Sequence, residues 1–104
     1  MSFTVELSPA AEEDLERLFD FLLDRAESSE ELDHAQAAID TVRAMTRQQL
    51  AITPYSFRKA ARNPLQRELI IPFAGTGYVA LYEIVSTSKI VVLAIRHQRE
   101  EDYH

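Results

Sequence analysis

The sequence has 104 residues, of which 46% are hydrophobic and 27% are charged, with only two glycines and four prolines. This composition is typical of a folded chain, and the length favours a single domain spanning residues 1–104. The net charge of −6 argues against strong non-specific binding to nucleic acid, because such binding depends on Lys and Arg. The absence of cysteine excludes a disulfide framework and a thiolate metal site.

The charge is unevenly distributed along the chain. Residues 1–57 hold twelve Asp and Glu against four Arg, whereas residues 58–104 hold five acids against seven Lys and Arg. The start of the sequence lacks a basic segment followed by an apolar one, and no apolar run approaches the roughly 18 residues that a membrane span needs. We therefore expect a cytoplasmic protein that does not associate with a membrane.

The first half of the sequence predicts one strand and two helices. The alternation in FTVELS is typical of a short, half-buried strand. Ser8 followed by Pro9 begins a helix, and Ser28 with Glu31 forms a capping box that begins a second helix, which runs to about Leu50. The short connection between them favours an antiparallel helical hairpin.

A stretch bounded by two prolines, ITPYSFRKAARNPLQ, is predicted to be irregular. Three strand-like runs follow it, RELIIPF, YVALYEIV and KIVVLAIR, separated by short turns that include both glycines. The predicted fold is therefore α+β with the order β-α-α-β-β-β, in which the helical hairpin packs on one face of a mainly antiparallel sheet.

The segments SPAAEEDLERLFDFL, PYSFRKAARNPLQRELIIPFAGTGYVALYEI and VVLAIRHQREEDYH together resemble the RelE/ParE family of toxins from type II toxin–antitoxin modules, often labelled plasmid stabilisation proteins. The resemblance covers nearly the whole chain. It implies a sheet with a concave face and a cognate antitoxin that wraps the toxin. RelE-like members cleave messenger RNA on the ribosome without a metal, whereas ParE-like members are described as inhibitors of DNA gyrase.

A metal-free ribonuclease must deprotonate a hydroxyl, stabilise the phosphorane charge and protonate the leaving oxygen. The candidate catalytic residues lie where the last predicted strand ends: Arg96, His97, Arg99 and Tyr103. By resemblance, Tyr103 takes the position of the RelE tyrosine and Arg99 a basic position, while His97 stands where a catalytic arginine is often found, which is a departure. If the strand extends through Ile95, Arg96 and His97 point to opposite faces of the sheet.

Two further sets of side chains are candidates for binding. The irregular stretch carries the only concentrated basic and aromatic residues: Tyr55, Phe57, Arg58, Lys59 and Arg62. Its aromatic residues could stack on a base, although packing at the edge of the core is the favoured interpretation. Phe21 and Leu23 widen the apolar stripe of the first helix and are candidate acceptors for an antitoxin. We expect no metal and no cofactor, because no convincing ligand set or phosphate loop occurs.

The favoured function is a ParE-like toxin that binds an essential target, DNA gyrase, because the overall charge is acidic and acids precede Tyr103. The alternatives are a ribosome-dependent mRNA endonuclease and a non-toxic module that only binds its partner. Whether the protein is an enzyme stays open at this point, and so does self-association as a homodimer. On composition alone, RHQREEDYH would be a solvated tail.

Overall fold

A computed structural model of the protein describes residues 2–60, 62–100 and 102–103. Within these residues, the chain forms two α-helices, a short 3-10 turn at Pro54–Ser56 and five strands. The elements are β1 (Thr4–Leu7), α1 (Pro9–Arg25), α2 (Ser29–Ile52), β2 (Arg58–Ala60), β3 (Asn63–Phe73), β4 (Thr76–Ile84) and β5 (Lys89–His97).

The five strands form one sheet in the order β1-β5-β4-β3-β2. β1 pairs with β5 in parallel, and every other pair of neighbours is antiparallel. Both helices pack on one face of this sheet, so the predicted α+β arrangement with a helical hairpin is confirmed. In the described part of the chain, neither helix has the length and apolar character that crossing a membrane requires.

Both helices begin at the serines that the sequence predicts. Ser8 Oγ accepts the Ala11 N–H at 3.1 Å, and Ser28 Oγ accepts the Glu31 N–H at 3.2 Å. Each bond satisfies one of the amide groups that a helix leaves unpaired in its first turn. The Glu31 carboxylate reaches back one residue further than in a standard capping box and accepts the Glu27 N–H at 2.8 Å.

The core lies between the helical hairpin and the sheet face that it covers. From α1 and α2 it contains Leu15, Leu18, Val42 and Leu50, and from the sheet it contains Leu69, Ile71, Tyr78, Tyr82, Ile90, Val92 and Ile95. Burial raises the pKa of Tyr82 to about 12, so the phenol stays protonated and donates to the Pro54 carbonyl. This bond attaches the segment after α2 to the centre of the sheet. No helix of the described residues lies on the opposite sheet face, which is called the open face below.

The prediction that the stretch between Pro54 and Pro64 is irregular is wrong in part. Residues 58–60 form β2, an edge strand, and β3 begins at Asn63 rather than near Arg67. Arg67 holds the preceding segment in place, because its Nη1 donates to the carbonyls of Tyr55 (2.9 Å) and Phe57 (3.0 Å). Pro64 is tolerated because it lies where the β2–β3 pairing changes register, so its missing N–H removes no ladder bond.

The two glycines have different roles, although both were expected in a turn. Gly75 lies in the β3–β4 turn with φ 78°, a conformation that glycine adopts without strain. Gly77 lies inside β4, where a Cβ would stand 2.9 Å from the Ile71 carbonyl oxygen. A side chain at position 77 would therefore push β3 and β4 apart.

Candidate functional site

The end of β5 is held in place by α1. One extra residue, Leu93, interrupts the pairing of β4 with β5, and its carbonyl accepts the Ser8 hydroxyl at 3.1 Å. Asp14, only 6% exposed, accepts the Ile95 N–H at 2.8 Å. These two bonds fix the bulge and hence the directions in which Arg96 and His97 leave the strand.

The predicted separation of Arg96 and His97 onto opposite faces agrees with their contacts. Arg96 lies opposite Val79 on the open face, near Glu68 and Tyr103. His97 lies opposite Tyr78 and packs edge-on against its ring, with the ring centroids 5.2 Å apart, on the face that the helices cover. The backbone of the sheet therefore stands between the two side chains.

On the open face, four side chains meet in what we call the Glu68 cluster: Arg58, Glu68, Arg96 and Tyr103. Glu68 Oε1 accepts from Arg58 Nε at 3.0 Å, and Glu68 Oε2 accepts the Tyr103 hydroxyl at 2.6 Å. The Arg96 guanidinium lies 4.0 Å from Glu68 Oε2 and 5.2 Å from the centre of the Tyr103 ring. The described residues 96–100 and 102–103 are therefore not a freely solvated tail, because Tyr103 is anchored on β3.

Two members of this cluster, Arg96 and Tyr103, already donate hydrogen bonds within the chain. Arg96 Nη1 donates to the Glu100 carbonyl at 2.6 Å and more weakly to the carbonyls of His97 and Gln98, so it organises the turn that follows β5. Burial raises the pKa of Tyr103, and its hydrogen bond to the Glu68 carboxylate raises it further. The Tyr103 phenol is therefore a hydrogen-bond donor and a poor base.

On the other face, a cavity of about 540 Å³ opens where the helical hairpin meets the β3–β4 turn. We call it the hairpin cavity. Its floor is apolar and consists of Leu18, Phe21, Leu22, Phe73 and Tyr78. Its rim carries Arg17, Arg25 and Arg99 against one acid, Glu100, which pairs with Arg17. The Arg25 guanidinium lies 3.8 Å from the centre of the Phe21 ring. A basic rim around an apolar floor is a local exception in a chain of net charge −6.

His97 lies at the mouth of the hairpin cavity. Its Nδ1 accepts the Arg99 N–H at 3.1 Å, so the neutral ring carries its proton on Nε2, which donates to Thr76 Oγ1 at 3.0 Å. Burial lowers the pKa of His97, and the nearby Arg99 lowers it further, while Glu100 opposes the change. His97 is therefore neutral at pH 7 and bonded on both ring nitrogens.

We expect the His97 contacts to weaken the fold at acid pH. A pKa that is lower in the folded than in the unfolded chain means that the unfolded chain binds more protons, so stability falls as the pH decreases from about 6.5 to the folded pKa of His97. Urea denaturation at pH 8 and pH 5 measures this loss. It should be smaller in His97→Gln, which cannot titrate; an equal loss in both proteins would contradict the assignment.

The remaining predicted binding residues are dispersed. Lys59 and Arg62 are exposed beside the β2–β3 connection. Tyr55 is exposed and meets the Phe3 ring edge-on, whereas Phe57 packs against the core, which was the favoured interpretation of these aromatic residues. Leu23 is half-buried and does not line the hairpin cavity, which Phe21 does.

Two important acidic residues were not among the sequence candidates. Glu68 alternates with Leu69 and Ile71 in the second predicted strand, RELIIPF, so period-two reasoning could have placed it on the open face. Asp14 falls within the apolar stripe of α1, between Ala11 and Leu15, and an acid at such a position is a signal of a buried acceptor.

Comparison with known proteins identifies the family. Residues 5–102 match the family described as ParE toxin of type II toxin-antitoxin system, parDE. Toxin RelE3 of Caulobacter vibrioides is 36% identical over 97 residues, which cover 93% of this chain and 96% of the relative.

Two solved structures share the fold. One, from the chromosomal ParDE toxin–antitoxin system of P. aeruginosa, has a TM-score of 0.72 at 14% identity and covers 92% of this chain and 96% of that one. The other, from the RelBE2 toxin–antitoxin complex of Mycobacterium tuberculosis, has a TM-score of 0.64 at 19% identity and covers 94% of this chain and 100% of that one. The chain belongs to the ParE toxin family of type II toxin–antitoxin systems.

Proposed function

We propose that the protein is a ParE-like toxin that acts in the cytoplasm by binding DNA gyrase and is neutralised by a cognate antitoxin. The observation that carries this proposal is the separation of the candidate nuclease residues. His97 and Tyr103 contact opposite faces of the sheet, so they cannot act as base and acid on one phosphate.

The open face is also poorly suited to hold a scissile phosphate. Glu68 lies between Arg58 and Arg96 and offsets their charge. Arg96 is bound to backbone carbonyls, and Tyr103 donates its proton to Glu68. A phosphate would have to displace these contacts beside a carboxylate, which supports action by binding rather than by catalysis.

The test is inhibition of DNA supercoiling by purified gyrase. The toxin should inhibit the reaction, and the antitoxin encoded beside it should restore activity. No inhibition at excess toxin would contradict gyrase as the target.

Replacing both Lys59 and Arg62 with alanine should raise the toxin concentration needed for half inhibition by about tenfold. Both side chains are exposed and project beside the edge strand β2, where they are free to meet a partner. The matched control is Lys89→Ala, which removes an exposed cation that pairs with Glu6 at the opposite end of the sheet. Equal effects of the two changes would indicate a non-specific charge effect.

The hairpin cavity is the proposed antitoxin surface. Its apolar floor suits a branched or aromatic side chain, and the net positive charge of its rim, in which Glu100 offsets Arg17, suits an acidic segment. The two solved structures that share this fold come from toxin–antitoxin systems, which supports a partner of this kind.

A ribosome-dependent mRNA endonuclease is the second candidate, because Arg58, Arg96 and Tyr103 do converge on the open face. If this activity exists, primer extension on translated messages will reveal new ends, and Arg96→Ala combined with Tyr103→Phe should remove them. Unchanged cleavage in the double variant would exclude both residues from the mechanism. A protein that is harmless when expressed alone would instead support the binding-only module.

A further inference from the structure

Val79 is the most deeply buried large residue of the open face, although no helix of the described residues lies on that face. Val79 is outside the helix-side core and only 1% exposed, whereas Ile70, directly opposite it on β3, is 41% exposed. Side chains from elsewhere in the chain must therefore pack over Val79 without covering Ile70.

The geometry places two side chains over this surface, those of Arg96 and Tyr103. Arg96 pairs with Val79 across β4 and β5, and its guanidinium lies against the Tyr103 ring. Glu68 lies two residues before Ile70 on β3, on the same face, and accepts the Tyr103 hydroxyl. The ring therefore spans from Arg96 to Glu68 across the β4 residues between them, Val79 and Leu81.

The anchoring of this ring depends on few contacts. Its described polar attachments are the bond from its hydroxyl to Glu68 and the interaction with the Arg96 guanidinium, which also lies near the ring. Tyr103 N–H is bonded locally, to Asp102 Oδ1 at 2.8 Å, and so adds no attachment to the sheet. Two side chains, Glu68 and Arg96, therefore hold the ring over an apolar patch.

The chemistry of the patch indicates what could replace the ring. Val79, Leu81 and Ile70 supply an apolar surface, and Glu68 supplies a hydrogen-bond acceptor. Glu83, in the next row of the same face, accepts from Gln66 and adds a second carboxylate. Because Glu68 and Glu83 balance the charges of Arg58 and Arg96, the face offers no net positive charge to a nucleic-acid phosphate. An aromatic residue of a protein segment meets the same contacts as Tyr103.

We propose that Tyr103 is an autoinhibitory latch: it occupies a pocket on the open face that otherwise receives an aromatic side chain from a protein partner. This rests on the proposed function as a toxin that acts by binding. Opening the latch exposes the Val79 patch and frees Glu68, and closing it withholds both from the partner.

The absence of cysteine in the chain provides a direct test. In Val79→Cys, the single thiol lies beneath the latch and should react slowly with a maleimide. Adding Tyr103→Phe removes only the hydroxyl and should raise the labelling rate about tenfold, because a hydrogen bond to a charged acceptor is lost. Adding Tyr103→Ala should raise it further. Equal rates with and without Tyr103 would overturn the latch.

A matched thiol distinguishes latch opening from general destabilisation. The thiol of Val92→Cys is equally buried but lies on the helix side of the sheet, so its labelling rate should not change when Tyr103 is replaced. If replacing Tyr103 makes the thiols of Val79→Cys and Val92→Cys reactive to the same extent, the tyrosine only supports global stability and the proposal fails.

The identity of the side chain that replaces Tyr103 is tested in the Val79→Cys, Tyr103→Ala double variant. The experiment contains no gyrase, so a negative result here is distinguishable from a failure of the proposed gyrase inhibition. A synthetic peptide of the sequence REEDYH should slow the labelling of the single thiol in this chain several-fold, and the same peptide with alanine for tyrosine should not. A short single-stranded RNA should have no effect. Protection by the RNA, or equal protection by both peptides, would overturn the assignment of an aromatic protein segment.

Discussion

Asp14→Ala is expected to lower the free energy of unfolding by about 2–3 kcal/mol, which is a large part of the stability of a small domain. The Asp14 carboxylate is buried and accepts the Ile95 N–H, so its removal leaves a buried amide without a partner at the β5 bulge. It also removes the acid that lies 3.9 Å from Arg17 Nη2. We expect the melting temperature to fall by roughly 10 °C.

Urea denaturation followed by circular dichroism measures this effect. Asp20→Ala is the matched control, since Asp20 is an exposed acid on the same helix and should change stability by less than about 0.5 kcal/mol. Asp14→Asn retains an oxygen acceptor and should recover part of the loss. A cost for Asp14→Ala no larger than for Asp20→Ala would show that the bulge does not depend on this bond.

The helices could be predicted because their ends are encoded locally. Ser8 and Ser28 each bond an amide three residues ahead, and Pro9 fits the first turn of α1. The sheet strands from Thr76 onward were similarly predictable, since apolar runs and a glycine turn delimit them.

β2 could not be predicted from its own residues. Arg58–Ala60 has no strand-like alternation, and it forms a strand because β3 offers a free edge for it to pair with. The preceding segment is ordered by Arg67, whose guanidinium binds two carbonyls that are ten and twelve residues away. Contacts of this kind depend on tertiary structure, which local propensity does not encode.

The faces of the candidate site were predictable, but their partners were not. Alternation along β5 was enough to separate Arg96 from His97. It could not show that Tyr103 would reach Glu68, because that contact depends on the path of the turn after β5, which Arg96 organises. The family resemblance indicated which residues could belong to a site, but it did not indicate that Tyr103 and His97 would lie on opposite faces of the sheet.

α1 links the two surfaces of the site. Its first turns hold the β5 bulge through Ser8 and Asp14, and its last turns supply Phe21 and Arg25 to the hairpin cavity. Arg17, between them, reaches Glu100 in the turn after β5 at 3.3 Å. A partner that fills the hairpin cavity therefore contacts α1, the helix that sets the direction of His97 and Arg96. Binding in the cavity does not require any change at the end of β5.

Phe21→Ala is expected to weaken binding of the cognate antitoxin by about 2 kcal/mol or more, which is roughly a thirtyfold increase in Kd. Phe21 is 51% exposed in the isolated chain, lines the floor of the hairpin cavity and lies against the Arg25 guanidinium. An exposed aromatic side chain on an apolar floor is the usual chemistry of an interface hot spot. Because it is half exposed, its loss should change the stability of the toxin itself only slightly.

Isothermal titration calorimetry of toxin with antitoxin measures the affinity, and Leu32→Ala is the matched control. Leu32 is also a large apolar residue of the helical hairpin, 46% exposed, but it does not line the cavity. In cells, Phe21→Ala should remain toxic and require more antitoxin for rescue, whereas Leu32→Ala should behave like the parent. If both variants bind the antitoxin as tightly as the parent chain, the hairpin cavity is not the surface that the antitoxin covers, and the basic rim must serve another partner.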